Sequence, residues 1–406
     1  MMKPIPGRKR MTDRTLQNEA ALTPRRKIIW HNVLFLILNP IAALILTPIY
    51  LVNNGISWGL VLFLVITYTI SNMSITSGYH RYFSHRTFNL PLWMENIYVV
   101  VAAGAFQGSL LQWCADHRRH HREVDGDADP YSRSKGFLFA HITWMFRRDP
   151  HPESRIYPKD LAKNPLIVWQ HKYYPLIATF VGYVIPGLVG YACGFGFWGG
   201  AIIGGSLRIF LSQHSTFLIN SAAHTFGKRP YTDTNSARDN HFLSFLTFGE
   251  GYHNFHHFFQ ADFRNGIRWY QWDPTKWWIQ SLAFLGIATK LKKARKEEIF
   301  KARINMEGRE LLSIGAPVDR VEQVKLKLLA AQARMREMRE EIRTAKAAFR
   351  QKRREMSEEM RRQMHVQLLK LKIKRRAEIK VAKLDFKVAY SEWRMFRRIL
   401  TQAKAA

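Results

Sequence analysis

Four stretches of this chain, 28–52, 56–77, 174–193 and 197–219, are apolar over a length that few water-soluble folds can bury. A helix needs about 20 such residues to cross a hydrocarbon core about 30 Å thick. In lipid every backbone amide and carbonyl must be satisfied internally, so these stretches are expected as membrane-spanning helices. They pair into two hairpins, because the short connections 53–55 and 194–196 carry no charge. Arg8, Lys9, Arg10, Arg25, Arg26, Lys27, Arg81, Arg86 and the whole region 115–172 then fall on the other side. An excess of Lys and Arg marks the cytoplasmic face, so the N-terminus and the C-terminus are expected there. The expected fold is an all-α integral membrane protein, four transmembrane helices in two hairpins capped by a cytoplasmic helical domain. The polar, basic first 27 residues lack a short apolar region with a small-residue cleavage site and read as a retained segment, not a signal peptide.

A fifth apolar stretch, 90–111, is interrupted by Glu95, Asn96 and Gln107 and weakened as a helix by Gly104 and Gly108. If it crossed the bilayer, His80 and His85 would lie across the membrane from His117, His120 and His121. An interfacial or partly buried helix keeps them together and is the expectation adopted. Residues 267–287 are rich in Trp and broken by Asp273, Pro274 and Lys276, which suits the headgroup region.

Charge is spread unevenly. From Lys290 onward there are 34 basic and 15 acidic residues, so the tail holds +19 of the net charge of +31. The rest is therefore far more apolar than the mean hydropathy of −0.23 implies. Basic loops beside long apolar runs fit anionic lipid better than nucleic acid, and no nucleic-acid partner is expected. Only Cys114 and Cys193 are present, which excludes a disulfide framework and fits a reducing compartment. Beyond Pro317 there is neither Gly nor Pro, and Val321, Val324, Leu328, Ala331, Met335, Met338, Ile342, Ala345 and Phe349 recur at steps of three and four. That is a heptad seam. A second seam, Ile379, Ala382, Phe386, Ala389, Trp393, Phe396 and Leu400, follows the charged stretch 352–362. A helical hairpin, an oligomerising coiled coil or a long basic helix lying on lipid would each account for it. The expected organisation is a basic segment 1–27, a transmembrane domain 28–293, a linker 294–317 and a basic helical or coiled-coil tail 318–406.

Eight of the 16 histidines fall into three clusters near the ends of apolar segments: His80 and His85; His117, His120 and His121; His253, His256 and His257. Side chains at i, i+3 and i+4 share a helix face, so His117 faces the same way as both His120 and His121, and His253 as both His256 and His257. Adjacent His120 and His121 diverge by about 100° and can serve different ions. His80 and His85, at i and i+5, share no α-helical face and are placed where the second span ends. A ninth, His224, follows the fourth span with Asn220 one turn before it. Nine imidazoles exceed the coordination of one first-row ion, and imidazole without thiolate favours iron, copper, nickel or zinc over magnesium or calcium. Two ions of four or five ligands each, with a position open for oxygen, is the economical arrangement. Asn220 is a weak ligand, better suited to holding a water on one metal. His31, His141, His151, His171, His214, His241 and His365 stand alone and read as satisfied core or interface residues. The only carboxylates in the clusters are Asp116 and Glu250, unlike the glutamate-rich sites of soluble di-iron bundles. Asp116 either orients an imidazole or pairs with Arg119.

The segments HRYFSHR at 80–86, DHRRHH at 116–121, NSAAH at 220–224 and GEGYHNFHH at 249–257 resemble the membrane fatty acyl desaturases, specifically the stearoyl-CoA (Δ9) branch. DADPYSRSKGFLFAHITWM at 127–145 and GKRPY at 227–231 match as well, and the resemblance covers about residues 30–293. It implies two iron ions held by His80, His85, His117, His120, His121, His224, His253, His256 and His257, with Asn220 at the water-bearing position and O2 as co-substrate. It also implies removal of two hydrogens from adjacent methylenes, leaving a cis double bond in a saturated acyl chain. A methylene has no acidic proton and no leaving group, so the position of attack must come from a narrow, bent apolar tunnel. The family residues that shape the bend map to Gln107, Trp113 and Thr216. Those that meet coenzyme A phosphates map to Arg147 and Arg148, an apt use of guanidinium. Two positions depart from the animal enzymes, Ala115 standing for an arginine and Gly108 for an asparagine. Acyl-CoA is therefore expected as substrate, with acyl carrier protein or phospholipid as alternatives.

A hydroxylase or ketolase of the same membrane class would share the ligands and differ in product. A metal transporter or sensor fits less well, since its site would lie near the bilayer midplane and, apart from Arg208 and His214, the spans lack ionisable residues. Neither an HPGG haem stretch, nor a ferredoxin-type cysteine set, nor a dinucleotide fingerprint after a strand is present. A separate donor is implied, cytochrome b5, ferredoxin or rubredoxin with an NAD(P)H reductase. The basic tail is expected to recruit it or to mediate self-association.

Overall fold

The computed structural model describes residues 27–353 and 357–405, which form helices and no β-strand. The expected basic segment lies outside the described residues except for Lys27. The chain divides into two units.

The first unit covers residues up to 227 together with 236–253 and 263–292. Its long helices are α1 (Trp30–Asn54), α2 (Trp58–Ser84), α3 (Leu92–Ala105), α4 (Leu110–Glu123), α5 (Tyr174–Ala192) and α6 (196–221). Helix α7 (His253–Phe258) begins at its edge, and α8 (Pro274–Phe284) closes it. Three helices, α1, α2 and α5, are long and apolar enough to cross a membrane, or up to four if the bent pair α3 and α4 counts as one span. Large apolar side chains such as Leu38, Leu44 and Leu62 are exposed along them, as a lipid-facing surface requires. The stretch expected as a fourth span is helical over 196–221 but is not among these three. Arg208, Gln213 and His214 dilute its apolar character.

The stretch 90–111 does not continue as one rod. Helices α3 and α4 meet at 84°, and the corner is made by Phe106 and Gly108, both with positive φ (55° and 95°). Glycine adopts that conformation without the steric cost of a Cβ. Helices α5 and α6 approach backbone to backbone, since a Cβ built on Gly190 would collide with the Cα of Gly200. Small residues permit such contact where lipid gives no hydrophobic drive for association.

Widened π turns at 180–184 and 201–207 interrupt α5 and α6. Arg208 is buried beside them. Its guanidinium donates to the carbonyls of Gly204 (2.7 Å), Gly104 (2.9 Å) and Gly182 (2.8 Å) and to the Ser71 hydroxyl (3.0 Å). One side chain thus ties α2, α3, α5 and α6 together through carbonyls near the bends. Polar groups within a bundle are tolerated where they satisfy such backbone groups.

The second unit covers 228–235, 254–262 and the chain from Lys293 onward. The segment 294–317, expected as a linker, carries an 18-residue helix, α9 (Lys296–Ser313). It forms because Ile304 and Leu311 bury an apolar face against the tail. The tail folds as α10 (Val318–Lys352) and α11 (Glu358–Ala405). Ion pairs Arg320–Glu392 (2.6 Å) and Arg375–Glu341 (2.7 Å) fix them antiparallel. Val321, Val324 and Leu328 of the first heptad seam meet Ala389 and Trp393 of the second, and the Trp393 indole donates to Glu307 of α9 (2.9 Å).

Replacing Arg208 with Leu leaves three buried carbonyls without that donor, at about 1–3 kcal/mol for each one left unsatisfied. The expected outcome is a clearly lower melting temperature in detergent, with Arg208→Lys intermediate. Equal melting of wild type and Arg208→Leu would show that this network does not hold the bundle.

Candidate metal centre

The first unit brings seven of the nine expected histidines into two groups. The ligand atoms of His80, His85, His117 and His121 lie within 4.8 Å of one another, and so do those of His120, His224 and His253. Helix α4 supplies both groups, because His117 and His121 are one turn apart while His120 points about 100° away from His121. Since His80 and His85 meet His117 and His121, the bent pair α3–α4 does not carry them to opposite sides of the membrane.

The last turns of α2, 74–84, wind as a π-helix. Its i→i+5 bonding appears at the histidines themselves, where the His85 amide donates to the His80 carbonyl (3.2 Å). The two rings, assigned to different α-helical faces by their spacing, then sit with centroids 4.9 Å apart. The wide turn corrects the α-helical argument.

The far nitrogen of several rings is held by a buried acceptor. His80 Nδ1 lies 3.0 Å from Glu250, and His120 Nδ1 2.9 Å from Asp129. His224 Nδ1 is 2.7 Å from the Ser236 hydroxyl, which donates to Asp125 (2.5 Å). His117 Nδ1 is 3.3 Å from the Tyr131 hydroxyl. Such partners fix the tautomer, leaving Nε2 as a lone pair. Those nitrogens converge: His85 and His117 Nε2 are 2.8 Å apart, His117 and His121 3.1 Å, His224 and His253 3.1 Å. Ring nitrogens gathered this closely form a donor set that one cation can share. Burial, reinforced by neighbouring positive groups, holds His85, His121 and His224 well below the usual imidazole range, and burial lowers His253 to about 3. They stay neutral, the form that binds metal. This donor set fits two first-row ions.

Glu250 anchors the arrangement. Burial alone would raise its carboxyl, but His80 and Arg81 outweigh that and bring it down to about 2. Arg81 also bonds Asp273 through both terminal nitrogens (3.2 and 3.0 Å), and Asp273 accepts from the amides of Asn265, Gly266 and Lys276. The sequence reading noted Glu250 without a role and missed Asp129, Ser236, Asp125 and Tyr131. Asp129 and Tyr131 lie in the stretch 127–145 that the resemblance had already marked, whereas nothing marked Ser236. Asp116 bonds Arg155 (2.8 Å) and Arg119 (3.4 Å), so it follows the ion-pair reading. Several of the lone histidines have ordinary partners, as His171 with Ser109 (2.6 Å) and His141 with His214 (3.2 Å).

His256 and His257 are buried on α7, three and four residues after His253, in the segment grouped with the second unit. Asn220 is not in either ligand group but lines a cavity of about 1030 Å³ that also reaches His80, His117, His120 and His253. All five residues expected to meet a substrate line this cavity: Gln107, Trp113, Thr216, Arg147 and Arg148. Gln107, at the α3–α4 corner, donates to the Thr216 hydroxyl of α6 (2.8 Å). The Trp113 ring stacks on His117 at 4.9 Å. Arg147 and Arg148 are exposed, on a segment tied to the start of α1 by the Arg148 amide and the Lys27 carbonyl (2.9 Å).

Loss of a partner that orients a metal-bound histidine costs about 10–100-fold in metal affinity. Asp129→Asn and Ser236→Ala are expected to lower bound metal per chain after dialysis against a chelator, with helical circular dichroism unchanged. Wild-type metal retention in both variants would remove these residues from the site.

Residues 56–284 match the family model described as fatty acid desaturase. A probable acyl-CoA desaturase of Schizosaccharomyces pombe is 38% identical over 271 residues, 64% of this chain and 56% of that protein. Acyl-CoA desaturase 1 of Saccharomyces cerevisiae is 39% identical over 254 residues, 62% of this chain and 49% of that protein. The chain therefore spans about half the length of these two relatives. An sn-1 stearoyl-lipid 9-desaturase of Anabaena variabilis is 34% identical over 280 residues, 68% of this chain and 99% of that protein. With a family match across more than half its length, including every clustered histidine, the chain belongs to the fatty acid desaturase family.

Proposed function

We propose that this chain is an oxygen-dependent fatty acyl desaturase that introduces a cis double bond, at the Δ9 position, into a saturated acyl chain carried as acyl-CoA. The observation that carries the reading is the convergence of two histidine groups on the cavity that also holds Gln107, Trp113 and Thr216. The proposed ligands are His80, His85, His117 and His121 for one iron and His120, His224 and His253 for the other, with His256 and His257 completing the set that the resemblance implies and Asn220 holding a water. The spacing of His256 and His257 from His253, one helical turn, supports their inclusion.

Bound iron supplies the activation of O2. Taking O2 to two waters needs four electrons; the two C–H bonds provide two, and a separate protein donor must provide the others. The chain's own residues then have three tasks. Glu250, Asp129 and Ser236 hold Nδ1 of His80, His120 and His224 and so keep their Nε2 atoms aimed. The Gln107–Thr216 bond, joining α3 to α6 across the cavity, sets where an acyl chain bends and so which methylenes lie beside His80 and His117. Trp113, stacked on His117, excludes water from that contact. Arg147 and Arg148 are the proposed phosphate contacts, and exposure at the cavity margin suits a head group that stays in water. The chain is read as four spans in two hairpins, with the metal site, both termini and the tail on the cytoplasmic side.

The test is turnover of stearoyl-CoA by iron-loaded protein in detergent with a reductase and donor, products identified by mass spectrometry. An oleoyl product supports the reading; a hydroxylated chain of unchanged saturation would replace it with hydroxylation. Arg147→Glu with Arg148→Glu is expected to raise KM for the CoA ester more than tenfold with kcat little changed. Desaturation of a glycerolipid but not of the CoA ester would reassign the head group.

A further inference from the structure

Helix α11 has two apolar faces. Leu368, Ala382, Ala389 and Trp393 are buried on one. On the opposite side Val366, Leu369, Ile373, Val381, Leu384, Val388, Met395 and Ile399 are all exposed, Ile373 by 69% and Val388 by 68%. At 100° per residue these eight fall within a sector of about 120°, and at 1.5 Å per residue the stripe runs about 50 Å. Helix α10 has no counterpart: Val318 and Leu326 are its exposed large apolar residues. A stripe of this size on a helix otherwise rich in charge marks a surface that something covers.

Its flanks indicate what. Arg376, Lys380, Lys383, Lys387, Arg394 and Arg398 are exposed along one edge. The opposite edge carries Glu378, Asp385 and Glu392, of which Glu378 is bonded to Arg375 (2.5 Å) and Glu392 to Arg320 (2.6 Å). A second copy docking through the same stripe would bring six cations toward an edge where two of the three acids are already engaged and Lys370 and Lys374 are also exposed. An anionic lipid surface answers both features at once, because an interfacial helix buries its apolar face at the acyl boundary and presents Lys and Arg to the headgroups. A bilayer is always at hand, since α1, α2 and α5 are built to cross one.

We propose that α11 is an interfacial helix that lays the stripe from Val366 to Ile399 onto anionic lipid. The tail is then a second membrane contact, made by partition and not by insertion.

The test uses the full chain with Cys193→Ser, which removes the exposed thiol and leaves only buried Cys114, and Leu384→Cys labelled with an environment-sensitive fluorophore. The protein is reconstituted into nanodiscs of phosphatidylcholine alone or with phosphatidylglycerol. The expected result is a blue shift in the anionic discs, absent from phosphatidylcholine, lost in high salt and lost with Lys383→Glu and Lys387→Glu. The same label at Glu340→Cys on α10 stays water-like. Equal spectra at position 384 in the two lipids overturn the proposal. So does disulfide cross-linking of two copies through Leu384→Cys, which assigns the stripe to self-association.

Discussion

The site depends on one constraint: an imidazole can offer Nε2 to a metal only if its proton is kept on Nδ1. Buried acceptors do this for His80, His120 and His224. A buried carboxylate would normally be costly, but Glu250 is shared between His80 and Arg81, and Arg81 is shared again with Asp273. Breaking any one contact in this chain leaves a charge uncompensated in a medium that solvates it poorly. That is why the network is closed, with Asn265, Gly266 and Lys276 filling the remaining acceptor positions.

The helices that carry these groups are irregular where the site needs them to be. Straight helices across a bilayer would keep every backbone group satisfied, and would also separate the ends of α2 and α4. The π turns that close α2 bring His80 and His85 together, and the corner at Phe106 and Gly108 turns α4 back toward them. Such bends free carbonyls in a region without water. Arg208 donates to the Gly104 carbonyl beside the corner and to those of Gly182 and Gly204 in the π turns of α5 and α6. The hydrogen bonds between them offset both the cost of a buried cation and the cost of the bends.

Much of this was legible because spacing is a local property. His117, His120 and His121 announce their two faces in any α-helix, and three of the four expected spans announce themselves by length, while 197–219 does not. What could not be read was wherever the backbone left the α-helix. The i, i+5 pair at 80 and 85 looks divergent at 3.6 residues per turn and meets only on the wider turn. Ser236 and Asp125 are 111 positions apart, and nothing in either neighbourhood marks them as partners of His224. The segment 294–317 was read as a linker between the membrane domain and the heptad seams, and its apolar residues show their purpose only in the fold. Ile304 and Leu311 are buried with Val321, Ala389 and Trp393, and Phe300, Leu312 and Ile314 pack against them.

The cavity sets its own limit on specificity. It is lined by histidines of both groups, by apolar walls such as Phe35, Leu36 and Ile75, and by charged residues that include Asp116, Arg119, Asp149, Arg155 and Lys135. Among these, four already answer one another, Arg119 with Asp149 (2.6 Å) and Arg155 with Asp116 (2.8 Å). A phosphate meeting this surface gains little from guanidinium groups that are engaged, whereas Arg147 and Arg148 are exposed. On the proposed function, head-group preference would reside in Arg147 and Arg148, and chain position in the Gln107–Thr216 contact. The two can be altered separately, because the first sits on an exposed segment beside α1 and the second joins α6 to the corner between α3 and α4.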